Sequence, residues 1–209
     1  MTREFTIYHG HASPTDLEAC KGACPTVTHG VEWSDPDRMV TSRDEPFIID
    51  NGAYGSEGFV PSKFIRMLDA VSQFSADPDF VILPDCFDNW EKTQERAIGW
   101  YETVAGYGYD YYVVGQPPAG RTELTYLADR VNASGIFLGG SRKGWKLDMA
   151  EKIDSYPVHI GNPELGSNLR YASKVADSVD TTSIVVNDLY QHLTQLEADI
   201  RDKREQKRI

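Results

Sequence analysis

In this chain a polar residue able to do chemistry stands at the end of one short apolar run after another. "FIID" stops at Asp50, "FVILPD" at Asp85, "YYVVGQ" at Gln116, "GIFLGG" at Gly139 and Gly140, "PVHIGN" at Asn162 and "DSVD" at Asp180. If these runs are strands of a parallel sheet, their carboxyl ends share one side, which is where α/β enzymes build their sites. Carboxylates placed there can accept hydrogen bonds, carry a proton or attack an electrophilic carbon. Asp, Asn and Gly are also the ordinary residues of turns, which accounts for any one of them taken alone. Their recurrence at successive strand ends favours a site.

The elements that must position these residues follow from apolar periodicity. Strand candidates are 5–8, 47–50, 80–85, 111–116, 135–140, 157–162, 177–180 and "SIVV" at 183–186. Between them lie amphipathic stretches. Pro61 opens one that carries Phe64, Leu68 and Val71. Asn89 is a capping residue for the next, with Trp90, Ala97, Tyr101 and Val104 inward, and Thr122 for a third with Leu124, Leu127 and Val131. The last helix carries Leu189, Leu193, Leu196 and Ile200 and frays into a tail over 203–209.

Strand followed by helix, again and again, implies a parallel sheet. An open doubly wound sheet and a closed (β/α)8 barrel both fit the alternation. The expectation is a compact α/β TIM-like barrel forming a single domain over 1–209, small beside the roughly 250 residues typical of that fold. No repeat, low-complexity tract or linker interrupts it. The segment 10–46 lacks clear periodicity and reads as an irregular excursion.

Composition narrows the function. Forty per cent hydrophobic and 11% aromatic residues in 209 describe a globular chain. The net charge of −11 argues against a generic nucleic-acid coat and suits a protein of high-salt surroundings, a halophilic source. Three cysteines, Cys20, Cys24 and Cys86, give no disulfide framework, and "CKGACPTVTH" lacks the ligands of a regular metal site. No apolar run reaches membrane-spanning length, and the N-terminus lacks a signal peptide's apolar core, so a cytoplasmic protein is expected.

The order of the strand-end residues resembles the tRNA-guanine transglycosylases, and most closely their DNA-modifying DpdA-type relatives. "DNGAY" (50–54) is similar to an Asp-Ser-Gly-Gly-Tyr/Phe motif, "LPDCF" (83–87) to Phe-Asp-Glu-Cys and "VVGQ" (113–116) to the stretch ending in Val-Gln-Gly-Gly. "FLGGS" (137–141) resembles the Gly-Gly-Leu loop, "HIGNP" (159–163) a Gly-x-Gly-x-Pro run, and "DSVDTTS" (177–183) the segment that carries the nucleophile. The match runs in unbroken order over 47–185. Asn51, Ala53, "QPP" (116–118) and Ser141 depart from the pattern, and no cysteine follows Cys86, so the family's zinc cluster is missing. That loss and the short chain point to the DNA branch.

The resemblance implies exchange of guanine in DNA for a 7-deazaguanine such as 7-cyano-7-deazaguanine, with no cofactor, as a mark that lets viral DNA evade restriction. Asp180 becomes the nucleophile, with Asp177 as its local rival, and Asp50 the acid/base. A strand-end carboxylate carries little packing, so loss of Asp180 is expected to leave the fold intact. Asp85 accepts from the guanine N1–H and amino group, Gln116 and the Gly140 N–H donate to O6, and Tyr54 stacks on the base or is an ordinary core aromatic. Gly139 and Ser141 complete the binding loop. Arg142, Lys143 and Lys146 form the densest basic cluster near that mouth, either for phosphate contacts or as a solvated helix start. His9 and His11 touch a sugar or phosphate, or are structural. The rival functions are the same exchange on tRNA, an N-glycoside hydrolase, and a non-catalytic purine-binding barrel. Three carboxylates are more than the last needs.

Overall fold

Eight parallel strands pair in chain order and close on themselves. The computed structural model describes residues 5–10, 13–38, 45–55, 57–74, 76–181 and 186–206. The strands are β1 (Thr6–Gly10), β2 (Thr28–Trp33), β3 (Phe47–Ile49), β4 (Phe80–Ile82), β5 (Tyr111–Gly115), β6 (Gly135–Leu138), β7 (Val158–Ile160) and β8 (Ser178–Thr181). β1 pairs with both β2 and β8, which makes the ring. The helices are α1 (Pro14–Ala23), α2 (Pro61–Val71), α3 (Trp90–Val104), α4 (Arg121–Arg130), α5 (Lys143–Lys152), α6 (Ser167–Val175) and α7 (Val186–Gln206). A 3-10 turn (Pro36–Arg38) stands between β2 and β3. The chain is thus a single (β/α)8 barrel, and the open sheet is not formed. Among the described residues no helix is long and apolar enough to cross a membrane.

Alternation along each strand sends one set of side chains to the helices and the other inward. Ile7, Val31, Ile49, Val113, Ile136, Ile160 and Val179 face outward and join the buried faces of the helices, such as Phe64, Leu68 and Val71 of α2. Burying a side chain of this size stabilises by about 1.5–3 kcal/mol. The inward set is different. Tyr8, Ile48, Phe80, Ile82 and Val114, with Tyr112 and Phe137 against them, form a separate cluster inside the ring. Phe80 stacks on Tyr112 with centroids 3.8 Å apart. Glycines make room for these rings: a Cβ on Gly135 would lie 2.3 Å from the Tyr112 ring, and one on Gly161 2.5 Å from Phe137.

Three expectations need correction. The segment 10–46 is no irregular excursion, because it holds α1 and β2. β2 reads "THGVEW", with Gly30 and Glu32 inward and Val31 and Trp33 outward, so neither face is a plain apolar run. Thr122 does not cap α4. Gly120 does, with its N–H donated to Glu123 Oε2 at 2.7 Å. The tail expected to fray over 203–209 remains helical to Gln206, and 207–209 lie outside the described residues. The eighth strand expected at 183–186 falls on residues outside the described set, except Val186, which opens α7. The other caps and faces stand as read, including Asn89, whose Oδ1 accepts from the Lys92 N–H at 3.1 Å.

Candidate active site

A cavity of about 810 Å³ opens at the carboxyl ends of the strands. Asp50, Asp85 and Asp180 all border it, with Tyr54, Gly139, Gly140, Ser141, Lys143 and Lys146. The carboxyl ends of β3, β4, β6 and β8 therefore contribute to one space. Glu32 of β2 and Asn162 after β7 also line it, and the sequence reading assigned Glu32 no role.

Asp180 is 4% exposed. Its Oδ1 accepts from the Asn162 backbone N–H at 2.7 Å, and its Oδ2 lies 3.3 Å from His159 Nε2. His159 is fully buried, holds Ser178 Oγ at 2.9 Å with its other ring nitrogen, and stacks on Phe137 with centroids 5.0 Å apart. The two contacts fix the orientation of the carboxylate. Removal of the side chain would take an acceptor from the Asn162 N–H and a partner from the buried His159, so Asp180 is not the inert strand end expected from the sequence. Asp177, its rival, does not border the cavity. It precedes β8, and its Oδ2 accepts from the Val158 N–H at 2.8 Å, tying the starts of β7 and β8 together.

Asp50 follows β3 and is half-buried. Burial, then the nearby charges of Asp180 and Asp85, push its carboxyl up to about 7, against N–H donors on Gly52 and Asn51 that favour its charge. It therefore exchanges a proton near neutrality. Asp85 is pushed up to about 6 by burial, with the Asn51 side chain and Arg96 pulling the other way. Asn51 Nδ2 donates to Asp85 Oδ1 at 3.0 Å and to the Leu83 carbonyl at 2.8 Å.

Gln116 is fully buried and does not border the cavity. Its amide nitrogen donates to Asp85 Oδ2 and, at 3.4 Å, to Thr93 Oγ1. The expected donation to a purine O6 is corrected on this ground: Gln116 holds Asp85 from behind. Gly139 gives its N–H to the Gly115 carbonyl at 2.9 Å, while Gly140 turns at φ 82°. The next N–H, of Ser141, is taken by Asp88 Oδ1 at 2.9 Å.

Tyr54 is 77% exposed and meets Phe87 edge-on at 5.0 Å. It is no core aromatic, and the pair forms an apolar ledge at the rim. The basic cluster divides. Arg142 and Lys143 are exposed, and Lys143 pairs with Glu164. Lys146 is 4% exposed and donates to the carbonyls of Gly161 and Asn162, the latter at 3.3 Å. A lysine so committed is removed from the expected phosphate contacts. Burial lowers its ammonium's proton affinity, while the charge of Asp180 raises it.

For His9 the structural alternative holds. It points outward, fully buried, and stacks on His29 with Nε2 2.9 Å from Nδ1 of that ring. His11 lies outside the described residues. Cys20 and Cys24 are buried thiols pushed up to about 11 and about 12, mainly by desolvation. Among the described residues no group of three or more His, Cys, Asp or Glu is placed to hold a metal ion.

The sequence reading passed over Asn51, His159 and Glu32 as site residues. The first two were inside quoted motifs, where only their neighbours were weighed. Glu32 was hidden because its strand was.

No protein-family model and no curated protein matches the chain. Solved structures do. The chain is similar to 3-hexulose-6-phosphate synthase from Salmonella typhimurium, with a TM-score of 0.57 at 10% identity over 94% of this chain and 99% of that one. Orotidine 5'-monophosphate decarboxylase from Sulfolobus solfataricus gives 0.54 at 10% identity over 97% and 99%. The YdjI aldolase from Escherichia coli K12 gives 0.56 at 7% identity over 97% and 91%. At these identities the likeness shows the barrel and nothing of the reaction.

Proposed function

We propose that this barrel exchanges guanine in DNA for a 7-deazaguanine base through a covalent intermediate on Asp180. The observation that carries the reading is the meeting of Asp180, Asp50 and Asp85 on one cavity with the exposed Tyr54 ring at its rim. In the first half-reaction a carboxylate oxygen of Asp180 bonds to C1′ as the C1′–N9 bond breaks, and Asp50 gives its proton to the departing base. In the second, N9 of the entering base bonds to C1′, the ester to Asp180 breaks, and the N9 proton passes to Asp50. Two displacements at one carbon retain its configuration.

The electrostatics suit this alternation. While Asp180 is charged it helps keep the proton on Asp50. Once Asp180 is an ester that charge is gone, and Asp50 holds a proton less tightly at the step where it has none. Asp85, ionised and fixed by Asn51 and Gln116, accepts from the N1–H and amino group that guanine and 7-deazaguanine share. A duplex shields its bases by stacking, and flipping one out costs a few kcal/mol. With a net charge of −11 the chain has little general attraction to offset this, so single-stranded or unpaired guanine is the favoured target.

The test is mass spectrometry of nucleosides from the DNA and tRNA of cells with and without the expressed protein. A deazaguanine nucleoside in DNA that depends on the protein supports the reading. Its appearance only in tRNA transfers the chemistry to the other substrate, and free guanine released with no new nucleoside makes the protein a hydrolase.

A further inference from the structure

Glu32 has no part in the exchange described above, yet it borders the same cavity. It is 8% exposed, and its Oε2 has no hydrogen-bond partner among the described residues. In the register of the barrel it lies beside Gly10 of β1 and Ile48 of β3. Gly10 has no side chain to stand between Glu32 and Asp180, which is inward on β8 at the level of Tyr8. Asp50 follows Ile48 by two residues, on the same face of its strand.

Three carboxyls drawn together on one wall of the cavity oppose one another's charge. Hydrogen-bond contacts reach two of the three. Asp180 has the Asn162 N–H and His159, and Asp50 has the Gly52 N–H at 3.2 Å. Glu32 Oε2 has none among the described residues, and a buried carboxylate oxygen without a donor is costly to charge.

The charged groups around it give no relief. Asp180 of β8 and Asp50, just after β3, repel its negative form. Farther round the cavity, Asp35, Glu57 and Asp85 are acidic, and the cations are Lys63 of α2 and Lys143 and Lys146 of α5. Lys63 pairs with Glu57, Lys143 with Glu164, and Lys146 with two carbonyls.

We propose that Glu32 is a neutral acid throughout the working range of the site, a positioning residue whose retained proton leaves Asp50 as the carboxyl that cycles. Were Glu32 charged, Asp50 would face its charge in addition to those of Asp180 and Asp85 and hold its proton too tightly to release it to a departing base. This consequence rests on the exchange reading, whereas the protonation of Glu32 does not.

The experiment follows glutamate side-chain carboxyl carbons by NMR in 13C-labelled protein between about pH 4 and 9, with Glu32 assigned by its loss in Glu32→Gln. A neutral-acid signal at neutral pH, well above the free glutamate value of about 4.3, is expected. Unfolding supplies a second readout. A carboxyl held above its unfolded value loses stability as pH rises through that interval, so Glu32→Gln should flatten the decline. The third is the rate profile of base exchange, in which a neutral glutamine should leave the alkaline limb in place. Titration of Glu32 near 4.3, or an alkaline limb moved to lower pH in Glu32→Gln, shows a charged Glu32 and overturns the proposal. A wild-type protein with neutral Glu32 and no base exchange supports the proton assignment and overturns the exchange reading.

Discussion

Asp180 and Asp50 stand at the ends of β8 and β3, border one cavity, and the charge of the first helps hold the proton on the second. Neither effect is available to a lone carboxyl at a strand end.

The pH dependence of exchange follows from two groups of opposite need. Asp85 must be ionised to accept from the base, and burial pushes it up to about 6; Asp50 must begin protonated, at about 7. Exchange should therefore peak in a narrow interval between these values and fall on both sides. A flat rate up to strongly alkaline pH would remove Asp50 as the acid.

Asp50→Asn separates catalysis from stability. Loss of a placed proton carrier should lower turnover by about 10²–10⁴-fold. Folded Asp50 binds its proton more tightly than the unfolded chain does, so it costs stability as pH rises from about 4 to about 7. The asparagine variant, with no proton to lose, should be the more stable protein at neutral pH. Paired kinetic and thermal-unfolding curves read both effects, and turnover within a few-fold of wild type would take Asp50 out of the mechanism.

Asp180 and Asp177 are distinguished by what each substitution leaves behind. Asp180→Ala should abolish exchange and also destabilise, because the Asn162 N–H and His159 lose their acceptor; one stranded buried group costs about 1–3 kcal/mol. Asp177→Ala should cost a similar amount through the Val158 N–H and leave exchange intact. A trapped sugar adduct mapped by peptide mass spectrometry to Asp177 would reverse the assignment.

The basic cluster should behave as two parts. Reversal of Arg142 and Lys143 together should weaken DNA binding equally across sequences, and more at low salt, as phosphate contacts do. Lys146→Met should instead lower thermal stability, since the Gly161 and Asn162 carbonyls lose their donor. Fluorescence anisotropy in low and molar salt, beside melting curves, tests the division. Equal loss of DNA affinity from all three positions would return Lys146 to the surface role.

The barrel was legible because apolar runs and amphipathic helices alternate so regularly, and Asp50, Asp85 and Asp180 because each ends such a run. β2 escaped for a physical reason. Its inward face carries Gly30, which makes way for Tyr8, and Glu32, which meets the cavity, so period-two hydrophobicity vanishes where the strand is most involved in the site. Gln116 was placed at the right end of the right strand, yet its orientation depends on Asp85 and Thr93, which are distant in sequence. Lys146 reads as one of three neighbouring cations, and only the helix geometry turns it inward.

The rings inside the barrel have a consequence for traffic. Tyr8, Phe80, Tyr112, Phe137 and His159 pack across the throat, and the Tyr8 hydroxyl reaches Asp79 at 2.5 Å, at the strand-start end. Beneath Asp50, Asp85 and Asp180 these rings close the barrel. On the exchange reading, the outgoing base must leave by the doorway through which its successor arrives, so departure precedes arrival. The glycosyl ester on Asp180 then waits beside a vacated slot, and its survival depends on how well the walls of that slot keep water from C1′.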